Sequence, residues 1–299
     1  MSRAQRQTLD ARLRTATPPP PTASIAQRRA GFAAFMASFP VPTDVRRAPA
    51  ELGGRPAVLV EPATEPRPGT ILYFHGGSFS LGSPTTSLAL TAHLVRRTGV
   101  RAVSLDYRLA PEHPFPAGIE DCLAAYRELL AEVDPASIAL VGDSAGGGLA
   151  VTTCLAARDA ALPMPATIVA FSPGLDHTRS GATMRTKEGA DPFFTQADMA
   201  RTRELYLGGQ DPDQPLLAPA ARADLTGFPP ILLQVGSNEL LLDDSVRLAE
   251  RAREAEVDVI LDVTAGVPHV FPAYAGTLDE ADQALDRAAL FLTQHLPVA

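Results

Sequence analysis

The stretch Gly142-Asp143-Ser144-Ala145-Gly146 constrains this chain more than any other, because a glycine-x-serine-x-glycine turn fits where a buried strand passes directly into a helix. Upstream, Ile138-Ala139-Leu140-Val141 is a continuous apolar run of the kind a strand buried on both faces needs. Downstream, Gly147 to Arg158 is rich in small and helix-forming residues. In such an elbow the serine takes a strained backbone conformation that lifts its Oγ clear of the sheet. The flanking glycines are needed because a Cβ at either place would collide with the neighbouring strand or helix.

The rest of the chain supplies the sheet that this turn requires. Apolar runs at 57–61, 70–74, 102–106, 137–141, 166–171, 231–235 and 257–263 alternate with helical patterns at 87–98, 118–133, 145–158, 244–256 and 279–295. That alternation predicts an α/β fold with a mostly parallel central sheet flanked by helices. With 299 residues and 45% hydrophobic content, one large core and a single domain over 1–299 are expected. Two regions break the rhythm and are read as a cap. One is the N-terminal segment 1–48, which holds a proline run at 18–21 and a helix face bearing Phe32, Phe35, Met36 and Phe39. The other is an insert at about 176–227, after the sixth strand of such a sheet, with Pro192-Phe193-Phe194 and a helix from Met199 to Leu207 that Thr195 would cap. Phe32, Phe35, Met36, Phe193, Phe194 and Tyr206 are the candidate pocket residues.

A net charge of −8 with no extended Lys/Arg block argues against nucleic acid and anionic membranes as partners, and favours neutral small molecules. No apolar stretch near the N-terminus has the form of a secretory signal, and none later has the length of a membrane span. The two cysteines, Cys122 and Cys154, fall in predicted helices and read as buried free thiols in a reducing cytoplasm. None of the six histidines has a second histidine or a cysteine at ligand spacing, so no metal is expected.

Ser144 as a nucleophile needs a base, and chain order for this kind of turn runs serine, acid, histidine. His269 follows the last strand and precedes the final helix. His93, His113, His177 and His295 sit in helices, a proline-rich turn or the insert, and His75 reads as fixing its loop. The acid belongs in the loop after 231–235, where Glu239 is nearest the strand tip, with Asp243 and Asp244 as alternatives that also suit the first turn of the next helix. After the strand at 70–74, His75-Gly76-Gly77-Ser78 offers a second set of backbone donors. The N–H groups of Gly76, Gly77 and Ala145 are expected to form an oxyanion hole, where losing one donor typically costs ~3 kcal/mol of barrier.

His75-Gly-Gly, Gly142-Asp-Ser-Ala-Gly and Tyr107-Arg-Leu-Ala-Pro-Glu112 together resemble the bacterial hormone-sensitive lipase-like esterases of the α/β-hydrolase superfamily, from about residue 55 to the C-terminus. In one branch of that family the triad acid is the glutamate of a Gly-Ser-x-Glu-x-Leu-Leu segment, which Gly236 to Leu242 matches. The resemblance implies an α/β-hydrolase fold with an N-terminal helical cap, serine carboxylesterase activity on short-to-medium acyl esters, and no cofactor. It also implies frequent homodimers through the last strand and its neighbouring helix. A lactone hydrolase, an acetyl esterase on a secondary metabolite, or a catalytically silent ligand-binding protein would share these motifs. Ser78 stands where many members have a third glycine, and Asp106-Tyr107-Arg108 with Pro111-Glu112 is expected to brace the loop beneath the site.

Overall fold

The computed structural model describes residues 2–15, 20 and 22–297; of the proline run, only Pro20 is among them. Its strands are β1 (Val45–Leu52), β2 (Arg55–Pro62), β3 (Arg67–Phe74), β4 (Val100–Leu105), β5 (Ile138–Asp143), β6 (Thr167–Phe171), β7 (Ile231–Gly236) and β8 (Val259–Thr264). Its helices are α1 (Ser2–Thr15), α2 (Ile25–Met36), α3 (Leu88–Thr98), α4 (Ala117–Glu132), α5 (Ala145–Asp159), α6 (Thr183–Thr186), α7 (Gln196–Leu207), α8 (Pro219–Arg222), α9 (Leu242–Glu254) and α10 (Asp279–His295).

The strands form one sheet in the order β1-β2-β4-β3-β5-β6-β7-β8, parallel from β4 to β8 and antiparallel at the β1-β2-β4 end. Period-two alternation sends Leu72, Phe74, Ile138 and Leu140 into a core with α4, α5 and α9. Ile71, Tyr73, Ala139 and Val141 go to a core on the other face with α3 and α10. Burying each large apolar side chain contributes roughly 1.5–3 kcal/mol, which is why these runs hold the sheet centre. After β3 the chain turns one way to β4 and then back the other way to β5. The carboxyl ends of β3 and β5 are therefore a topological switch point, where an open α/β sheet leaves a crevice.

The cap segment differs from expectation at its end. Residues 45–48 belong to β1, so the N-terminal cap stops at about 44. The strand Val-Arg-Arg-Ala-Pro-Ala-Glu-Leu is mostly exposed and carries Pro49, features that an edge strand tolerates and that hide it from an apolar-run search. It joins β2 through a two-residue turn in which Gly53 and Gly54 have φ of 63° and 68°. A Cβ on Gly53 would lie 2.4 Å from the backbone of Ala125 in α4.

Helix α2 begins with a capping box between Ser24 and Gln27. Leu13 of α1 is buried with Val267, Phe271 and Tyr274, so α1 lies over the loop that carries His269. Arginines tie the cap down through backbone carbonyls. Arg6 donates to Ala265 O, Arg14 to Gly189 O and Ala190 O, and Arg29 to Ser80 O and Ala110 O. The insert between β6 and β7 holds α6, α7 and α8, and Thr195 caps α7 by accepting from Asp198 N at 3.1 Å. Among the described residues, no helix is long and apolar enough to cross a membrane.

Candidate active site

Ser144 sits between β5 and α5 with φ 53° and ψ −117°, a conformation that costs about 1–3 kcal/mol unless its surroundings enforce it. They do: Ser144 N donates to Phe171 O at 2.8 Å, and Ser144 O accepts from Gly148 N and Gly174 N, each at 3.1 Å. A Cβ on Gly142 would stand 2.2 Å from Gly146 O, and one on Gly146 would stand 1.9 Å from Phe74 O. Only glycine allows the helix and the two strands to close around the turn.

The loops after β7 and β8 bring the other two predicted residues to this serine. His269 Nε2 lies 2.8 Å from Ser144 Oγ, and His269 Nδ1 lies 2.8 Å from Glu239 Oε2. An ionised carboxylate only accepts, so Nδ1 carries the proton and Nε2 is left to accept from the serine hydroxyl. Burial lowers the His269 pKa, but the Glu239 charge and hydrogen bond, with Asp191 and Asp143 further off, raise it above the ordinary histidine value. Glu239 is fully buried, and its Oε1 accepts from Gly236 N and from Ser172 Oγ at 2.7 Å. Asp243 and Asp244, the alternative acids, turn toward the insert. Asp243 accepts from Thr183 N, and Asp244 accepts from Leu175 N and Asp176 N.

Ser172 was not among the expected site residues. At the tip of β6 it donates to Glu239 and accepts from Val270 N at 2.9 Å, joining the acid to the segment that carries the imidazole. The signal available in the sequence was its place at the carboxyl end of a parallel strand beside the elbow. Asp191, in the insert, is similarly placed: it accepts from Phe193 N and Phe194 N, and its other oxygen accepts from Leu240 N next to Glu239.

The oxyanion loop departs from expectation at one residue. Gly76 N donates to Asp143 Oδ1 at 3.1 Å, beside the Tyr73 hydroxyl at 2.7 Å, and so is directed beneath the elbow rather than at Ser144. Gly76 is glycine because a Cβ there would lie 2.2 Å from Asp143 Oδ2. Among the described residues the N–H groups of Gly77 and Ser78 have no acceptor, and Ala145 N–H is the first donor of α5, without an intrahelical partner. Ser78, Ser144 and Ala145 line one cleft, whereas Gly76 lines another with Asp143. Tyr107 and Glu112 brace the loop as expected, whereas Arg108 turns to Asp121 of α4. Tyr107 stacks on His75 at 4.2 Å and donates to its carbonyl at 2.6 Å, and Arg29 pairs with Glu112 while holding Ser80 O. Burial holds the His75 pKa down at about 4, which keeps this ring neutral.

Of the pocket candidates, Phe32 and Met36 line the narrow cleft beside Asp143. Phe194 lines the cleft beside Ser144, with its ring 4.8 Å from His269. Phe193 packs edge-on against Phe35 at 6.2 Å. Tyr206 is a correction: it is buried in the core, stacked at 3.8 Å under Phe79, because the face of α7 that carries it turns inward. Phe79 is the ring that reaches the cleft.

A serine on a strand-to-helix elbow, at the switch point of an open parallel sheet and hydrogen-bonded to a late histidine, defines the hydrolase class of α/β proteins. The family model described as alpha/beta hydrolase fold matches residues 71–273, and the chain belongs to that family. An acetyl-hydrolase from Streptomyces hygroscopicus is 43% identical over 224 residues, covering 75% of each chain. An esterase from Acinetobacter venetianus is 36% identical over 225 residues, 75% of this chain and 74% of that one. The crystal structure of an esterase from the bacterial hormone-sensitive lipase family superposes with a TM-score of 0.93 at 38% identity, over 98% of this chain and 99% of that one. Within the fold family, this chain is therefore a carboxylic ester hydrolase of the bacterial hormone-sensitive lipase type.

Proposed function

We propose that Ser144 is the nucleophile, His269 the general base and Glu239 the residue that orients it, acting on short-to-medium acyl esters of small molecules. The observation that carries this is the unbroken hydrogen-bonded line from Ser144 through His269 to Glu239. As Ser144 Oγ attacks the ester carbonyl, its proton passes to His269 Nε2. The Glu239 carboxylate stabilises the imidazolium, and that proton then goes to the departing alkoxide. Water, deprotonated by the same nitrogen, attacks the acyl-serine and frees the acid. The oxyanion is held by the N–H groups of Gly77, Ser78 and Ala145, with Ser78 taking the part expected of Gly76. No metal or organic cofactor has a place in these steps.

Two narrow clefts flank the elbow, one lined by Phe32 and Met36 beside Asp143 and the other by Phe79 and Phe194 beside Ser144, which supports substrates of modest size. The test is hydrolysis of p-nitrophenyl acetate, butyrate, octanoate and laurate by the wild type and Ser144→Ala. Rates peaking at acetate to octanoate and abolished in the variant are expected; a folded Ser144→Ala at wild-type rate would refute the assignment. We further propose a homodimer through β8 and α10, where Ile260, Val263 and Leu290 are 51%, 43% and 58% exposed. A monomer in sedimentation at micromolar concentration refutes it. A cytoplasmic location is proposed from the two buried free thiols, Cys122 and Cys154, and cell fractionation tests it.

A further inference from the structure

The cleft beside Ser144 contains a feature the ester chemistry does not use. Arg179, His177 and Arg203 line it together with Ser78, Ser144 and Ala145. Arg203 is occupied, donating to His177 O and Glu204. His177 is buried, which drives its pKa well below the ordinary value and leaves it neutral. Arg179 is different. Its side chain is 16% exposed, its ion pair with Asp244 is long at 3.9 Å, and among the described residues its buried Nε and Nη1 have no hydrogen-bond acceptor. The Asp244 oxygen already accepts from Leu175 N and Asp176 N, while Asp176 is engaged by Thr178, Ser180 and Arg247. A sequestered guanidinium with unused donors is a costly thing to leave beside a nucleophile, and an incoming anionic oxygen would relieve it.

We propose that Arg179 anchors a carboxylate of the substrate, so that the esters this chain prefers carry an anionic oxygen on the arm held in the Ser144 cleft. The inference rests on the esterase reading of Ser144. A guanidinium presents a planar fork of donors that matches a carboxylate, and charge-assisted bonds of this kind are the strong ones. Phe79, Phe194 and Met199 line the same cleft, so the stretch linking the ester to the carboxylate is apolar. This departs from the neutral substrate suggested by the chain's charge of −8. That charge is spread over the surface and screened beyond about 10 Å at ordinary salt, whereas Arg179 acts at contact.

The experiment compares matched pairs that differ only in the carboxylate. In the acyl arm, p-nitrophenyl hydrogen glutarate is set against p-nitrophenyl methyl glutarate; in the alcohol arm, 4-acetoxybutanoate is set against its methyl ester. The anionic member of one pair is expected to have a kcat/KM at least about tenfold above its neutral mate, expressed mainly in KM. Which pair responds identifies the arm. In Arg179→Met that ratio falls by about tenfold or more, while Arg179→Lys keeps part of it. Neutral esters preferred in both pairs, or a wild-type ratio retained by Arg179→Met, overturns the proposal and leaves the esterase reading intact. Calorimetry with glutarate and 4-hydroxybutyrate on Ser144→Ala gives a reading that needs no turnover. Millimolar or tighter binding of either, lost when Arg179→Met is added, supports the anchor; binding of neither overturns it. Failure of the wild type to cleave any ester strikes the underlying reading instead.

Discussion

Ser172→Ala removes one hydroxyl that the acid and the histidine segment share. The residue is fully buried, donates to Glu239 Oε1 at 2.7 Å and accepts from Val270 N at 2.9 Å. A hydrogen bond to a charged group contributes about 1.5–3 kcal/mol, and a backbone N–H left without an acceptor costs about 1–3 kcal/mol. Glu239 Oε1 keeps its bond from Gly236 N and the small space left by an oxygen collapses easily, so the expected loss is roughly 2–4 kcal/mol. For a chain of this size that lowers Tm by about 4–8 °C, at roughly 2 °C per kcal/mol. Activity falls as well, because Glu239 and the loop bearing His269 are no longer tied to one point. Urea unfolding and kcat/KM on p-nitrophenyl butyrate measure both effects. A double-mutant cycle with Glu239→Gln separates the shared bond, with a coupling of at least about 0.5 kcal/mol expected. A loss of stability under about 0.5 kcal/mol with unchanged kcat, and no coupling to Glu239, would refute the bridging role.

Two further perturbations test the electrostatics and the packing of the elbow. On the proposed assignment His269 is neutral when it acts as base, and its pKa is raised, so the acid limb of kcat/KM is expected above pH 6.5, the ordinary histidine value. Glu239→Gln moves that limb to lower pH, since burial then acts with less opposition, and lowers kcat by on the order of 10³–10⁴; a limb that stays in place would separate Glu239 from the imidazole. The same raised pKa contributes stability that is fully present below pH 6.5 and lost as pH rises through the folded-state value. Gly146→Ala puts a Cβ 1.9 Å from Phe74 O, and soluble, fully active Gly146→Ala protein would contradict the close packing of the turn.

The parts of the site that could be read beforehand are those where residue type and position at a strand tip coincide. Ser144 follows β5, Glu239 follows β7 and His269 follows β8, and each is a chemically distinctive residue on a short loop. The proposed oxyanion donors are less legible, because an N–H direction depends on dihedral angles that residue identity leaves open. Gly77, Ser78 and Phe79 all have positive φ, 125°, 53° and 59°, and that course swings Gly76 toward Asp143. Ser172 escaped notice because a serine at the end of a strand looks the same whether its hydroxyl meets water or a buried glutamate. Tyr206 differs from expectation for a related reason: α7 has weak segregation of polar and apolar residues, so its order of residues does not mark the inward face of that helix.

The arginine clamps of the N-terminal cap reach backbone carbonyls at Ser80, Ala110, Gly189, Ala190 and Ala265. A carbonyl is present at every position whatever side chain the residue bears. That share of the segment's mooring depends on the shape of the underlying chain, while Arg6 with Glu280, Arg29 with Glu112 and Gln5 with Asp279 add ties that depend on particular side chains, so a changed lining around the carbonyl anchors leaves them in place.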